Sequence, residues 1–206
     1  MPKATREDKN KIVAKILPRR ESRAFGSISV YPKQLTFETQ NPGEKVYILA
    51  RAHILTNIGW ITRAAGLSTI PLFLLYFVDY FNVNIDFIPN GLIVLMIAAY
   101  YLSIVALVLM NLMNWYYNIY LVTSDRVIDY DFKALSAYKV SEAEIENVQD
   151  VSQMSVGFLP NMFGYGDIMV QTASSRNKFY FKAVPKPSWL RDVIADLASL
   201  VRTEEP

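Results

Sequence analysis

The sequence predicts a membrane α-helical hairpin joined to an α+β domain, a curved antiparallel sheet or barrel capped by a C-terminal α-helix. Three observations predict it. Two long apolar runs lie close together in the first half of the chain, alternating apolar and polar stretches follow them, and the final segment 185–202 carries apolar residues at helical spacing.

The run Leu92–Met110, LIVLMIAAYYLSIVALVLM, holds nineteen residues without a charge, enough for a helix to cross a hydrocarbon core of roughly 30 Å. The earlier run Ala64–Val78, AAGLSTIPLFLLYFV, reaches spanning length when extended back through IGWIT, with Arg63 snorkelling to the interface. Pro71 kinks that helix and is tolerated there because neighbouring groups satisfy the carbonyl it frees. These readings place helices at about 58–80 and 91–112 within a hairpin of residues 58–112. Between them DYFNVNIDFIPNG, Asp79 to Gly91, has Pro-Asn-Gly turn chemistry and no Lys or Arg, and Asp79 marks the outer end of the first helix.

Charge sets the orientation. Residues 1–57 hold eleven Lys or Arg against five Asp or Glu, although the whole chain carries a formal charge of only +2. Basic residues on both outer flanks put both termini in the cytoplasm of a multi-pass protein of the cell (inner) membrane. Trp60 and Arg63 on the first helix, and Trp115 and Tyr116 after the second, are the expected membrane-interface anchors.

Ahead of the hairpin, residues 1–24 read as a basic, mobile arm that either binds an anionic leaflet or only enforces topology. Residues 25–57 form a pre-membrane segment in which ISVYP and LTFETQ are short extended pieces, followed by NPGEKVYILARAH leading into the first helix. Beyond the hairpin, residues 113–206 make the cytoplasmic domain. Six strands are expected there: Asn118–Val122, Arg126–Phe132, Ala137–Val140, Asn147–Met154, Gly166–Ala173 and Lys178–Val184. A closing helix starts near Pro187 and turns Leu190, Val193, Ile194, Leu197, Leu200 and Val201 toward the core.

Composition excludes several chemistries. Without cysteine there is no disulfide framework, thiolate zinc site or cysteine nucleophile, and the single histidine, His53, rules out a multi-histidine metal cluster. No GxSxG elbow, HExxH pair, phosphate-cradling loop or GxGxxG occurs, so neither catalytic residues nor a cofactor or metal site is assigned. His53, alone beside a membrane helix, reads as a hydrogen-bonded anchor rather than a pH sensor. Glu142, Glu144 and Glu146 alternate along SEAEIEN as a solvated acidic edge that discourages strand pairing.

In order along the chain, PGEKVYILARAH, WYYNIYLVTSDRVIDYDF, EAEIENVQDV, FGYGDIMVQT and the AVPKP junction make the sequence resemble the membrane-flanked bacterial pleckstrin-homology (PH) domain family over residues 42–202. The resemblance implies a PH-like fold, a nearly closed barrel of antiparallel strands capped by the C-terminal helix and held on the cytoplasmic face by the hairpin. It implies architecture more than activity. Phosphoinositide-reading PH domains gather several Lys and Arg at the turn joining their first two strands. The corresponding TSDR has only Arg126, beside Asp125, and Arg126 is expected to pair with a nearby carboxylate.

The letters of FGYGD match a potassium filter, but they follow both membrane helices and lie between strands, so a glycine corner is the expected reading. Gly157, Gly164 and Gly166 supply positive φ or a bulge, Tyr165 packs, and Asp167 accepts backbone amides. The preceding loop, Ser155–Tyr165, carries Phe158, Leu159, Met162 and Phe163 around Pro160. These side chains either plug the barrel or pack on the last helix, or, if exposed, form an interaction patch for a partner or the bilayer surface. The resulting expectation is a non-catalytic binding or assembly module. Its partners are the lipid bilayer and either a second copy or another membrane protein, with no nucleic acid. Anionic-lipid headgroup reading is the alternative, and a channel or transporter subunit the third reading.

Overall fold

The computed structural model describes residue 17 and residues 26–32, 37, 39–134, 137–173 and 178–202. The chain divides into two compact units, one of Met1–Ile54 with Tyr116–Pro206 and one of Leu55–Trp115.

The second unit is a helical hairpin. A single 3-10 turn, Ile54–Asn57, leads into helix α1, Ile58–Tyr80, and helix α2 runs over Asn90–Tyr117. Both are long and apolar enough to cross a membrane. Helix α2 extends five residues past the expected end, because nothing in NWYY breaks a helix. Neither helix has a polar face, and their apolar side chains are exposed, Phe73 at 69% and Leu102 at 71%. Pro71 has no N–H to give the carbonyl four residues back, that of Leu67. The hydroxyl of Tyr100 on α2 donates to Leu67 O at 2.8 Å, and that of Tyr101 donates to Ser68 O at 3.0 Å. The proline gap in α1 is thus closed from the other helix.

The first unit is built of two antiparallel sheets. Sheet A has the order β1 (Ile28–Val30), β2 (Val46–Arg51), β3 (Ile119–Thr123), β4 (Arg126–Lys133), β5 (Ala137–Glu144). Sheet B has β6 (Val148–Met154), β7 (Tyr165–Thr172) and β8 (Lys178–Pro185). The six strands expected after the hairpin all form, with shifts of one to four residues at their ends. Two more strands come from the pre-membrane segment, so the sheet does not begin at residue 113. Strand β2 pairs with β3, Ile48 opposite Val122 and Ala50 opposite Tyr120. The hairpin is therefore an insertion between two neighbouring strands.

Burial explains that arrangement. One apolar cluster takes in Ile48 and Val122 from sheet A, Ile168, Val170 and Phe181 from sheet B, and Leu190, Val193, Ile194 and Leu197 from helix α4, Pro187–Arg202. A second cluster, Val46, Leu49, Leu121 and Ile128, lies on the opposite face of sheet A with Phe37 against it. The inner strands of sheet A are therefore covered on both faces. Of the expected core positions of α4, Leu200 is only half-buried, Val201 lies among the side chains not described, and Ala198 is buried in addition. Leu17 belongs to the main core cluster; the rest of the expected basic arm lies outside the described residues, as does much of LTFETQ.

Tyr100→Phe is expected to leave the Leu67 carbonyl without its interhelical donor and to weaken the hairpin by about 0.6 kcal/mol and at most about 1.7. Denaturation of the micelle-bound protein with SDS measures it.

Candidate functional site

Arg126, the one base of the TSDR turn, opens β4. All three nitrogens of its guanidinium donate hydrogen bonds. Nε and Nη2 donate to the two carboxylate oxygens of Glu44 at 3.1 and 3.0 Å, Nη1 donates to Glu142 at 2.6 Å, and Nη2 also donates to the carbonyl of Thr39. The Phe37 ring lies 5.6 Å from it. Glu44 is buried, with its side chain 0% exposed. Burial pushes its carboxyl up, but the hydrogen bonds from Arg126, from the Thr123 hydroxyl at 2.6 Å and from the Asn41 amide at 2.9 Å outweigh it and hold the group below 4.5. The expected carboxylate partner of Arg126 is thus two carboxylates, and the buried one comes from before the hairpin. Of the expected acidic edge, Glu142 and Glu144 lie on β5, an edge strand of sheet A, where Glu144 accepts from Asn147 at 3.1 Å, while Glu146 lies in the 3-10 turn Ile145–Asn147 that follows.

A polar cleft of about 340 Å3 opens beside β3, β4, β5 and β8. Asp129, Asp131, Lys139, Ser141, Tyr180 and Lys182 are among its lining residues. Register builds it: Asp131 lies opposite Lys139, and Asp129 opposite Ser141 on one side and Tyr120 on the other. Tyr120 accepts the Lys182 amide at 3.0 Å and stacks on Phe181 with centroids 4.5 Å apart, which joins the two sheets at the base of the cleft. Burial pushes the Tyr120 phenol up to about 12. Burial, followed by the neighbouring Asp131, raises Asp129 to about 6 against the pull of Lys139 and Lys182. Nothing in the sequence reading singled out this site, since its residues come from four strands and form no motif. The one local signal was the i, i+2 pair of carboxylates in RVIDYDF.

The expected glycine corner is present and more tightly built than the sequence reading supposed. Helix α3, Phe158–Phe163, occupies what read as a loop; Gly157 precedes it at φ 109° and Gly164 ends it at φ 67°. Gly166 needs no positive φ. A Cβ there would meet Ser155 Oγ and lie 2.8 Å from the Met154 carbonyl, so the position is closed to side chains. Beside it, the pairing of β7 with β8 shifts register between Gly166 and Ile168. Asp167 accepts the Ala183 amide at 2.7 Å, and Ala183, held at φ 51°, gives its carbonyl to the His53 amide at 2.7 Å. His53 stacks on Tyr165 at 5.1 Å, and burial lowers its pKa.

Phe158, Leu159, Met162 and Phe163 are all exposed, so they neither plug the barrel nor pack on the last helix. The four expected interface residues divide. Trp60 donates Nε1–H to Asn57 at 2.9 Å, and Arg63 donates Nε–H to Gly59 O at 3.0 Å; both line a cleft of about 190 Å3 on the hairpin. Tyr116 carries the Arg51 guanidinium 4.6 Å over its ring and accepts Arg51 Nε–H at its carbonyl, 3.0 Å. Trp115, by contrast, is enclosed, at 8% exposure, and does not present an interfacial ring. Comparison with protein-family models, curated proteins and solved structures finds no match to this chain.

Two consequences are measurable in the domain's melting. Arg126→Met leaves the Glu44 carboxylate buried without its cation and should cost about 3–5 kcal/mol, while Glu44→Met combined with Arg126→Met recovers much of the loss. The lowered Glu44 group adds stability that is complete above its ordinary value of 4.5 and lost as pH falls through its depressed folded value. Asp129 acts in the opposite sense. Its stabilising effect is complete below 3.8 and is lost as pH rises through about 6. Asp129→Asn should therefore raise the melting temperature at neutral pH and flatten its fall across that window.

Proposed function

We propose that this protein is a membrane-anchored, non-catalytic binding and assembly module, in which α1 and α2 span the bacterial inner membrane and the β-domain is PH-like and cytoplasmic. The carrying observation is the contrast between its two units. The β-domain has a complete two-sheet core, whereas helices apolar on every side keep that surface exposed. A helix hydrophobic all round is buried in a large protein or in lipid. Two antiparallel sheets followed by a packed terminal helix fit the PH-like reading, and the basic flanks favour cytoplasmic termini.

The cleft beside β4, β5 and β8 is the surface this reading assigns to a protein partner or a second copy. It is open and polar, and its carboxylates and lysines offer charged groups of both signs to a partner. Headgroup reading at the TSDR turn is disfavoured, because Arg126 is already committed to Glu44 and Glu142.

The chain has no cysteine, so single-cysteine labelling tests the topology directly. Asn84→Cys, in the connector, should react with an impermeant maleimide on spheroplasts, and Asp196→Cys only after lysis. The opposite pattern, or release of the chain by alkaline carbonate, contradicts membrane anchoring. Protein purified in mild detergent should run as an oligomer or retain a protein crosslinked through the cleft. A strict monomer with no such crosslink contradicts assembly.

A further inference from the structure

We infer that α3 is a third attachment to the membrane, its apolar side chains seated in the interfacial layer of the bilayer that holds the hairpin. The occupant of this surface is phospholipid. The inference rests on the proposed reading that α1 and α2 span that bilayer. Met154, Val156, Phe158, Leu159, Met162 and Phe163 all fall within residues 154–163, each at least 44% exposed. Residues 154–166 contain no Asp, Glu, Lys or Arg. Scattered exposed apolar residues are ordinary, but six gathered on one short tip mark an interaction surface.

Position within the β-domain selects lipid as the occupant. Tyr165, two residues past α3, stacks on His53, and His53 is bonded to Ala183 of β8. The next residue, Ile54, begins the turn that leads into α1. The other connection leaves from the same end: Arg51, at the last register position of β2, lies opposite Ile119 and is bonded to Tyr116 at the close of α2. Only Asn118 separates α2 from β3. The apolar tip therefore shares one end of the domain with both chain exits to the apolar helices. It is also firmly held, because Gly164 O accepts the Lys186 amide at 2.9 Å and β6 pairs with β7 up to Met154 and Asp167. Lys186 is exposed at that end, as suits an anionic leaflet. A tip of this composition matches the interfacial mode of binding, in which apolar groups enter the headgroup and acyl boundary without spanning.

The test uses the full chain in vesicles of phosphatidylcholine and phosphatidylglycerol, with an NBD fluorophore on one introduced cysteine at a time. Phe158→Cys, repeated as Met162→Cys, reports the tip. Leu102→Cys, in the middle of α2, reports the hairpin, and Glu146→Cys, in the turn between β5 and β6, reports the far end of the domain. Doxyl groups near the lipid headgroup should remove most of the emission at 158 and 162, whereas doxyl groups near the acyl terminus should quench 102 more. Aqueous iodide should quench only 146. Quenching of 158 and 162 by iodide, with 102 still quenched by lipid, overturns the third attachment and leaves the hairpin in place. Shielding of 158 and 162 from both quenchers means that protein covers α3, which also overturns it. Loss of lipid quenching at 102 overturns the hairpin reading and this inference with it.

Discussion

The ion pair between Glu44 and Arg126 is the contact on which the rest of the domain depends. A carboxylate taken fully out of water is costly unless its charge and lone pairs are all met. Here Arg126 supplies two N–H groups, Thr123 a hydroxyl and Asn41 a backbone amide. The partners lie 82 residues apart in sequence, with the whole hairpin between them. The bond ties the chain entering the hairpin to the turn that follows the first strand leaving it.

Several features follow from that tie. It holds β2 in the middle of sheet A, where β2 and β3 share a ladder and are covered on both faces. It also commits the one cation of TSDR to Glu44 and Glu142. Pairing of β2 with β3 also brings both connections to the hairpin to one end of the domain. There His53, Ala183, Asp167 and Tyr165 form a continuous set of contacts that presents α3. A left-handed Ala183 is a strained position; its amide and carbonyl both being taken is what keeps it so. The geometry of this end thus rests on backbone bonds contributed by the pre-membrane chain.

Much of this was legible in the sequence where a period was clean. The uncharged run from Leu92 and the alternation of GDIMVQT and KFYFKAV were read as the elements they form, and the spacing of Leu190, Val193, Ile194 and Leu197 identified the core face of α4. Strand β2 escaped because VYILA is buried on both sides and so shows no alternation. It read as a lead-in to the helix that follows. Helix α3 was hidden by its six-residue length and by Pro160, which read as loop chemistry. Trp115 looked like an interfacial tryptophan because composition says nothing of what encloses it. Arg126 was expected to pair, but only the fold shows that the buried partner is Glu44. The cleft was out of reach, since Asp129, Lys139 and Lys182 become neighbours only through the register of β4 with β5 and the approach of β8.

With β2 and β3 in one ladder, the chain on both sides of the hairpin should fold as one cooperative domain. Native-state hydrogen exchange of the full-length protein in detergent tests it most directly, read at the amides of Ile48 and Ala50 in β2 and of Tyr120 and Val122 in β3. All four protected amides should open only with the domain, at one common free energy that falls with denaturant at the same slope. Exchange of the β2 amides through a separate, much lower-energy opening, while β3 stays protected, would contradict it.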